Sequence, residues 1–388
     1  VAVAQQSTRI REDFRLDAVG LWSRAGVAVL LVGAVAALPS ITGNLWDRRI
    51  ALMAIYAVIG LSVNIITGYA GQISLGHQAF VGIGAFTSAY VVGPHLGLGF
   101  WVGVVAAGGM GAILAFLLGL VALRIRGLYF ALVTLSFGLM AEAVIFNIRS
   151  FTGGGAGTPA PRPAGFVSDG NYAYLCMAIL AVFVLVDWRM SKTKAGRGVV
   201  AVRNNERVAA TLGINVAGYK LLAFGVGGFL AGVAGALYAH NTGQAYQQDY
   251  VFPDPALIWL LMAVVGGLGS RAGVVIGSAF FAVFPQLLPT EPVNIPSFLQ
   301  FIGVKTVLLS VTLAPLIGAL LLVLTVTMYP GGIGQQLLPI RRWLSGGPFL
   351  EKRHRRAPRE DEAASPQTEP TEDIQASDRA DDEAGDEP

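Results

Sequence analysis

Few side chains are placed to do chemistry here, and most of them fall in one stretch. Residues 68–92 read GYAGQISLGHQAFVGIGAFTSAYVV, where Gln72, Ser74, His77 and Gln78 stand among Gly68, Gly71 and Gly76. Asn64 lies just before this stretch, and Thr134 lies in a later apolar run. Amides, hydroxyls and a lone imidazole make hydrogen bonds. No paired His or Asp ligands stand at helical spacing to hold a metal. Three consecutive glycines at 153–155 suggest a phosphate cradle, but no G-x-x-x-x-G-K-[ST] occurs, so the chain does not hydrolyse ATP by itself. The single cysteine, Cys176, excludes an internal disulfide and a cysteine-based metal cluster. No catalytic residue, metal or cofactor is assigned; the chemistry on offer is the reversible holding of a solute.

The elements that position these groups follow from composition. With 54% hydrophobic and 13% charged residues over 388 positions, and a mean hydropathy of +0.60, this is a polytopic membrane protein. Apolar runs at residues 25–41, 50–67, 100–123, 127–148, 172–188, 221–240, 256–269, 272–288 and 313–328 read as membrane segments, and residues 298–310 as a surface or partly inserted helix. With the stretch after residue 68 they predict an all-α chain of about ten crossings. The glycine-rich, polar stretch breaks this pattern. Unsatisfied backbone groups cost several kcal/mol each in lipid, so such a break must face protein or a water-filled path. Transporters place substrates at discontinuous helices of this kind, which makes Asn64, Gly71, Gln72, Ser74, His77 and Thr134 candidates for a translocation path. The same small residues also serve close helix packing, a single histidine also fits a purely structural role, and Thr134 also bonds back to its own helix. Glu142, the only carboxylate between residues 50 and 148, is placed near an outer helix end, within reach of headgroups.

A polar island at residues 189–220 carries seven Lys/Arg against one carboxylate, Glu206, which puts it on the cytoplasmic side. It predicts a short helix. Asn204 or Asn205 caps its free N–H groups, Glu206 sits at the positive end of its dipole, and Gly213 takes the left-handed turn that ends it. Val208 and Leu212, with Ala209 beside them and Ala210 following, give it a small apolar face. A helix this short needs a groove to lie in, and a partner protein offers one. The remaining organisation is a cytoplasmic lead at residues 1–24, a membrane domain at 25–330, a basic cytoplasmic segment at 331–359 and an acidic tail at 360–388. That tail holds twelve Asp/Glu and one Arg, whereas residues 1–359 carry a net charge of +14, clustered where anionic lipid headgroups meet it. Both termini are expected inside. Arg48 and Arg49, which land outside, are the exception to the positive-inside pattern.

Four stretches carry a resemblance. RNNERVAATLGIN followed by YKLLAF is similar to the coupling loop of bacterial ABC importer permeases. GYAGQISLGHQAF followed by GIGAF, then GLYFALVTLSFG, then LIWLLMAVVGGLGSRAGVVIGS, resemble the branched-chain amino acid permeases of the LivM and LivH kind, and the second of these looks like LivM. The likeness covers residues 50–330. It implies a type II ABC importer permease fold in a bacterial inner membrane, importing branched-chain amino acids. It further implies a LivH-like second permease subunit, two ABC ATPase subunits that dock on Asn204, Asn205, Glu206, Val208, Ala209, Ala210, Leu212 and Gly213, and a periplasmic substrate-binding protein. Relatives carry an acidic residue in the outer loop after paired glycines; this chain has Ala156 there. Urea and short-chain amide importers use similar permeases and form the alternative on substrate. The rival from another class is a secondary transporter or channel without an ATPase, which predicts an intramembrane acidic relay where this chain offers Glu142 alone. No nucleic-acid partner is implied.

Overall fold

Long apolar runs become helices in a membrane because only a helix satisfies every backbone group within its own segment. The structure, a computed structural model, describes residues 43–287 apart from 126, together with 39, 292–294, 306–308, 316, 318–320, 323–325, 327–328 and 331–336. The main helices are α1 (Asn44–Val63), α2 (His77–Val92), α3 (Phe100–Ala122), α4 (Leu128–Met140), α5 (Asp169–Lys192), α6 (Lys194–Asn204), α7 (Glu206–Thr211), α8 (Val216–Thr242), α9 (Asp254–Gly266) and α10 (Arg271–Leu287). α1 continues as a π-helical turn, Asn64–Tyr69, and α4 as another, Ala141–Ile145.

Among the described residues five helices are long and apolar enough to cross a membrane, rather than ten: Leu45–Tyr69, Phe100–Ala122, Leu128–Ile145, Asp169–Lys192 and Val216–Thr242. The difference has two sources. α2, α9 and α10 are apolar but short, at 16, 13 and 17 residues. Of the span expected at 25–41 only residue 39 is described, and the span expected at 313–328 is described in pieces, at nine of its sixteen positions; Arg126, the basic segment beyond residue 336 and the acidic tail lie outside the described residues. Of the helix expected at 298–310, the described part, Thr306–Leu308, is instead a strand paired antiparallel with Pro292–Asn294.

α1 is the central element. In its most apolar window 83% of residues are buried, against 28% in those of α4 and α5, whose outer faces carry exposed side chains such as Leu132, Val144, Val182 and Leu185. α2, α3 and α8 form the tightest contact, through glycine. A Cβ on Gly84 of α2 would fall on the backbone of Gly232 in α8, and one on Gly111 of α3 would fall on the carbonyl of Gly228. Backbones that approach this closely hold by van der Waals contact, which apolar side chains alone do not supply in lipid. Gly103 packs against Ser88 and Val92, whereas Gly99, four residues before it, meets open space. Gly273 and Gly277 of α10 press on α9, and residues 331–336 sit on the turn between these two helices.

Candidate functional site

The break predicted after residue 68 is present, and its local causes are visible. At the end of α1 the Ala70 N–H reaches back to the Ile65 carbonyl and the Gln72 N–H to that of Ile66, each at 3.1 Å, so the helix widens before it stops. Gly71 then takes φ 69°, and the chain runs irregularly to Gly76, where α2 begins. Leu75 N–H donates to Thr134 Oγ1 at 2.9 Å, and the Thr134 hydroxyl donates to Ala131 O at 2.8 Å. Thr134 therefore bonds back to its own helix, as expected, and also fixes the end of the break against α4.

His77 is placed by the same kind of bookkeeping. Ser62 donates its one hydroxyl proton to Gly227 O at 2.6 Å, so the contact with His77 Nε2 at 2.9 Å has the imidazole as donor. That leaves Nδ1 buried without a hydrogen-bond partner, together with Thr67 Oγ1, Gln72 Oε1, Ser74 Oγ and both side-chain atoms of Gln78. Buried polar atoms are almost always bonded, and residues 67–78 hold six that are not. Of the expected path residues, Gln72, Ser74 and His77 contribute such atoms. Gly71 shapes the bend. Asn64 does both: its Nδ2 is likewise buried without a hydrogen-bond partner, while its Oδ1 accepts from Gly269 N–H at 2.7 Å and ties the π turn to the loop between α9 and α10. Gln78, fully buried at the start of α2, joins the group.

The polar island holds two helices. α6 was not anticipated, although Gly196, Val199 and Val202 at three-residue spacing give it a buried face. α7 is the short helix foreseen from sequence. Of the two cap candidates, Asn205 does the work: its side chain accepts from Arg207 N–H at 3.1 Å and Val208 N–H at 3.2 Å, while Asn204 is the last residue of α6. Gly213, at φ 75°, ends α7, and Ile214 N–H closes onto Ala209 O at 3.0 Å. The expected apolar face is divided. Ala209 is buried against the protein's own core, whereas Val208 and Leu212 are 52% and 73% exposed and Ala210 is exposed with them. The reason is helical spacing: 208 and 212 share a face, and 209 lies about 100° away. Glu206, beyond its place in the first turn, pairs with the buried Lys220 Nζ at 2.5 Å, and that ammonium also reaches Ala122 O at the end of α3.

Between the two regions lies a polar network. Arg203, near the end of α6, donates from Nη1 to Gly68 O in the π turn. The Tyr69 hydroxyl donates to Asp187 Oδ2 at 3.0 Å, Asp187 pairs with Arg271 Nε at 2.5 Å, and Arg271 Nη2 donates to Ser191 Oγ at 2.6 Å. A cavity of about 350 Å³ lies beside it, lined by Tyr69, Ser191, Arg197, Val200 and Asn204 among others. The signal for this cluster was Asp187, a carboxylate inside an otherwise apolar run, which marks a functional or paired group by default.

The opposite end is tied by Arg162. It donates to the carbonyls of His240, Asn241 and Val167, pairs with Asp169 at 2.7 Å, and lies over the Tyr172 ring. Two-residue strands, Thr158–Pro159 and Gln244–Ala245, pair beside it. Glu142, half-buried at the end of α4, accepts from Phe252 N–H at 3.1 Å. Outside the spans, burial holds the Asp249 carboxyl above the usual carboxylate range, so the turn Gln247–Tyr250 is partly withdrawn from solvent. Among the described residues no group of three or more His, Cys, Asp or Glu side chains could hold a metal.

Residues 47–302 match the family model described as branched-chain amino acid transport system / permease component. The chain is 32% identical over 267 residues to the high-affinity branched-chain amino acid transport system permease protein LivM of Escherichia coli K12, covering 61% of this chain and 62% of that protein. It is 24% identical over 282 residues to a probable LivM permease of Methanocaldococcus jannaschii, covering 62% and 80%. The LivH permease of Salmonella typhimurium is 26% identical over 289 residues, covering 67% and 91%. The match thus spans about three fifths of the length of the enterobacterial LivM proteins.

Proposed function

Because the chain belongs to the permease-component family of branched-chain amino acid transport systems, we propose that it is one of two permease subunits of an ATP-driven importer for branched-chain amino acids. The single observation that carries this reading is the extent of the family match, residues 47–302, which takes in the broken helix and the basic helices together. Identity to the enterobacterial LivM proteins, at 32% and 31%, exceeds the 26% to LivH and favours the LivM role, with a LivH-like subunit as its partner. α4 and α5, whose apolar faces lie open, supply surface for that subunit and for lipid.

The basic end is the cytoplasmic one on this reading, since Lys and Arg are retained there. Val208 and Leu212, four apart on one face of α7, present an apolar patch that suits a groove on an ATPase subunit. ATP-driven closure of two such subunits moves α6 and α7. To carry a two-state equilibrium from mostly one side to mostly the other takes about 5.5 kcal/mol, which nucleotide binding in the partner supplies. The amides, hydroxyl and imidazole of Gln72, Gln78, Ser74 and His77 line the path, and the substrate is delivered by a periplasmic binding protein.

The test is reconstitution of the permease pair with its ATPases in proteoliposomes, binding protein outside and ATP inside. Labelled leucine should accumulate only with hydrolysable ATP. Accumulation without the ATPases, or transport of urea in place of leucine, would overturn the reading.

A further inference from the structure

We propose that Arg203 is a positioning residue that carries movement of the basic helices to the break in α1, by gripping the carbonyl of Gly68. The inference rests on the reading of α6 and α7 as the region moved by the ATPases.

The last carbonyls of a helix have no partner within it, and a cation there completes both their hydrogen bonding and the helix dipole. At the end of α1 the carbonyls of Ile65 and Ile66 are taken by Ala70 and Gln72 N–H, and that of Gly68 by the Arg203 guanidinium. The stem of Arg203 lies on the other side of the bend: a Cβ on Gly71 would come within 2.8 Å of its Cγ. One side chain from α6 thus touches the bend at its start and at its left-handed turn, one residue before Gln72. Asn205 directly follows α6 and caps α7, so a push on α7 reaches Arg203 two residues away.

A second tie runs alongside. Tyr69, next to Gly68, bonds Asp187, and the Asp187–Arg271 pair leads to Ser191, three positions before α6 begins at Lys194. The 350 Å³ cavity between Tyr69 and the face of α6 that carries Arg197, Val200 and Asn204 leaves room for the helix to move without first unpacking the core. Gly68 to Ser74 is a short, irregular path, so displacement at the carbonyl is not absorbed before it reaches the unpartnered groups.

The experiment measures leucine imported per ATP hydrolysed by the assembled complex, for wild type, Arg203→Gln, Arg203→Lys and Tyr69→Phe, with melting temperatures in parallel. Loss of one charge-assisted hydrogen bond should lower the ratio about tenfold in Arg203→Gln while ATP hydrolysis and melting stay near wild type. Arg203→Lys, which keeps the charge, should recover part of it, an effect a packing role would not give. If Arg203→Gln fails to fold, Tyr69→Phe, which removes one oxygen, decides by the same ratio. Wild-type uptake with an unchanged ratio in the folded variants overturns the inference alone. A wild-type complex that shows no ATP-dependent uptake overturns the functional reading and this inference with it.

Discussion

Arg162 and Arg203 each place a guanidinium on the last carbonyls of a buried helix, at opposite ends of the bundle. Arg162 is 13% exposed and bound five ways: three carbonyls, the Asp169 carboxylate and the face of Tyr172. Arg203 is exposed and holds Gly68 O by one hydrogen bond. The chemistry of the cap is the same, but the number of constraints differs. A guanidinium that must break five contacts to move is a fixture, and one that must break a single contact is a latch. At the latch end the fixed point is a different group, the Asp187–Arg271 pair, with the Asp187 side chain fully buried.

This contrast orders the effects of substitution. The largest loss of stability is expected at the basic end but not at Arg203. Asp187→Ala leaves Arg271 uncompensated at a partly buried site and should cost about 3 to 5 kcal/mol, read as a fall in melting temperature in detergent. Melting with wild type would show that the pair is no anchor. Arg162→Ala should follow at about 2 to 3 kcal/mol, and Arg162→Lys should recover little of it, because an ammonium lacks the fork that spans several carbonyls. Next comes Gly213→Val. An added Cβ there meets open space, so the cost is the left-handed backbone alone, about 1 to 2 kcal/mol confined to α7, with uptake per ATP reduced. Gly213→Asn should be close to neutral in the same assay. Arg203→Gln should change stability by no more than about 1 kcal/mol while the transport ratio falls. If it melts as early as Arg162→Ala, the distinction between fixture and latch is lost. The smallest change of all in melting is expected for Ala210→Trp, whose side chain points away from the core; its effect should be release of the ATPase from purified complex, and retention at wild-type stoichiometry would count against a docking face there.

Much of this was legible in the sequence, and the exceptions are instructive. Gln72, Ser74 and His77 identified the break because polar groups at membrane depth are costly and glycine loosens a helix. Asn205 and Gly213 bounded α7 because caps and left-handed turns are local chemistry. α6 was hidden inside a stretch read as polar, since its buried face consists of small residues and two valines. Ala209 was assigned to the partner's side because spacing defines a face without saying which way it points.

Sequence alone determined what a residue can do through its neighbours in the chain: which runs are apolar enough to enter lipid, where a helix starts and stops, and that no nucleotide loop is present. Only the tertiary structure decided which distant groups meet. That Arg203 caps Gly68, 135 positions away, that Asn64 reaches Gly269, and that Asp187 lies between Tyr69 and Arg271 depend on how the helices pack. Packing is set by the sum of many glycine and side-chain contacts rather than by any single spacing.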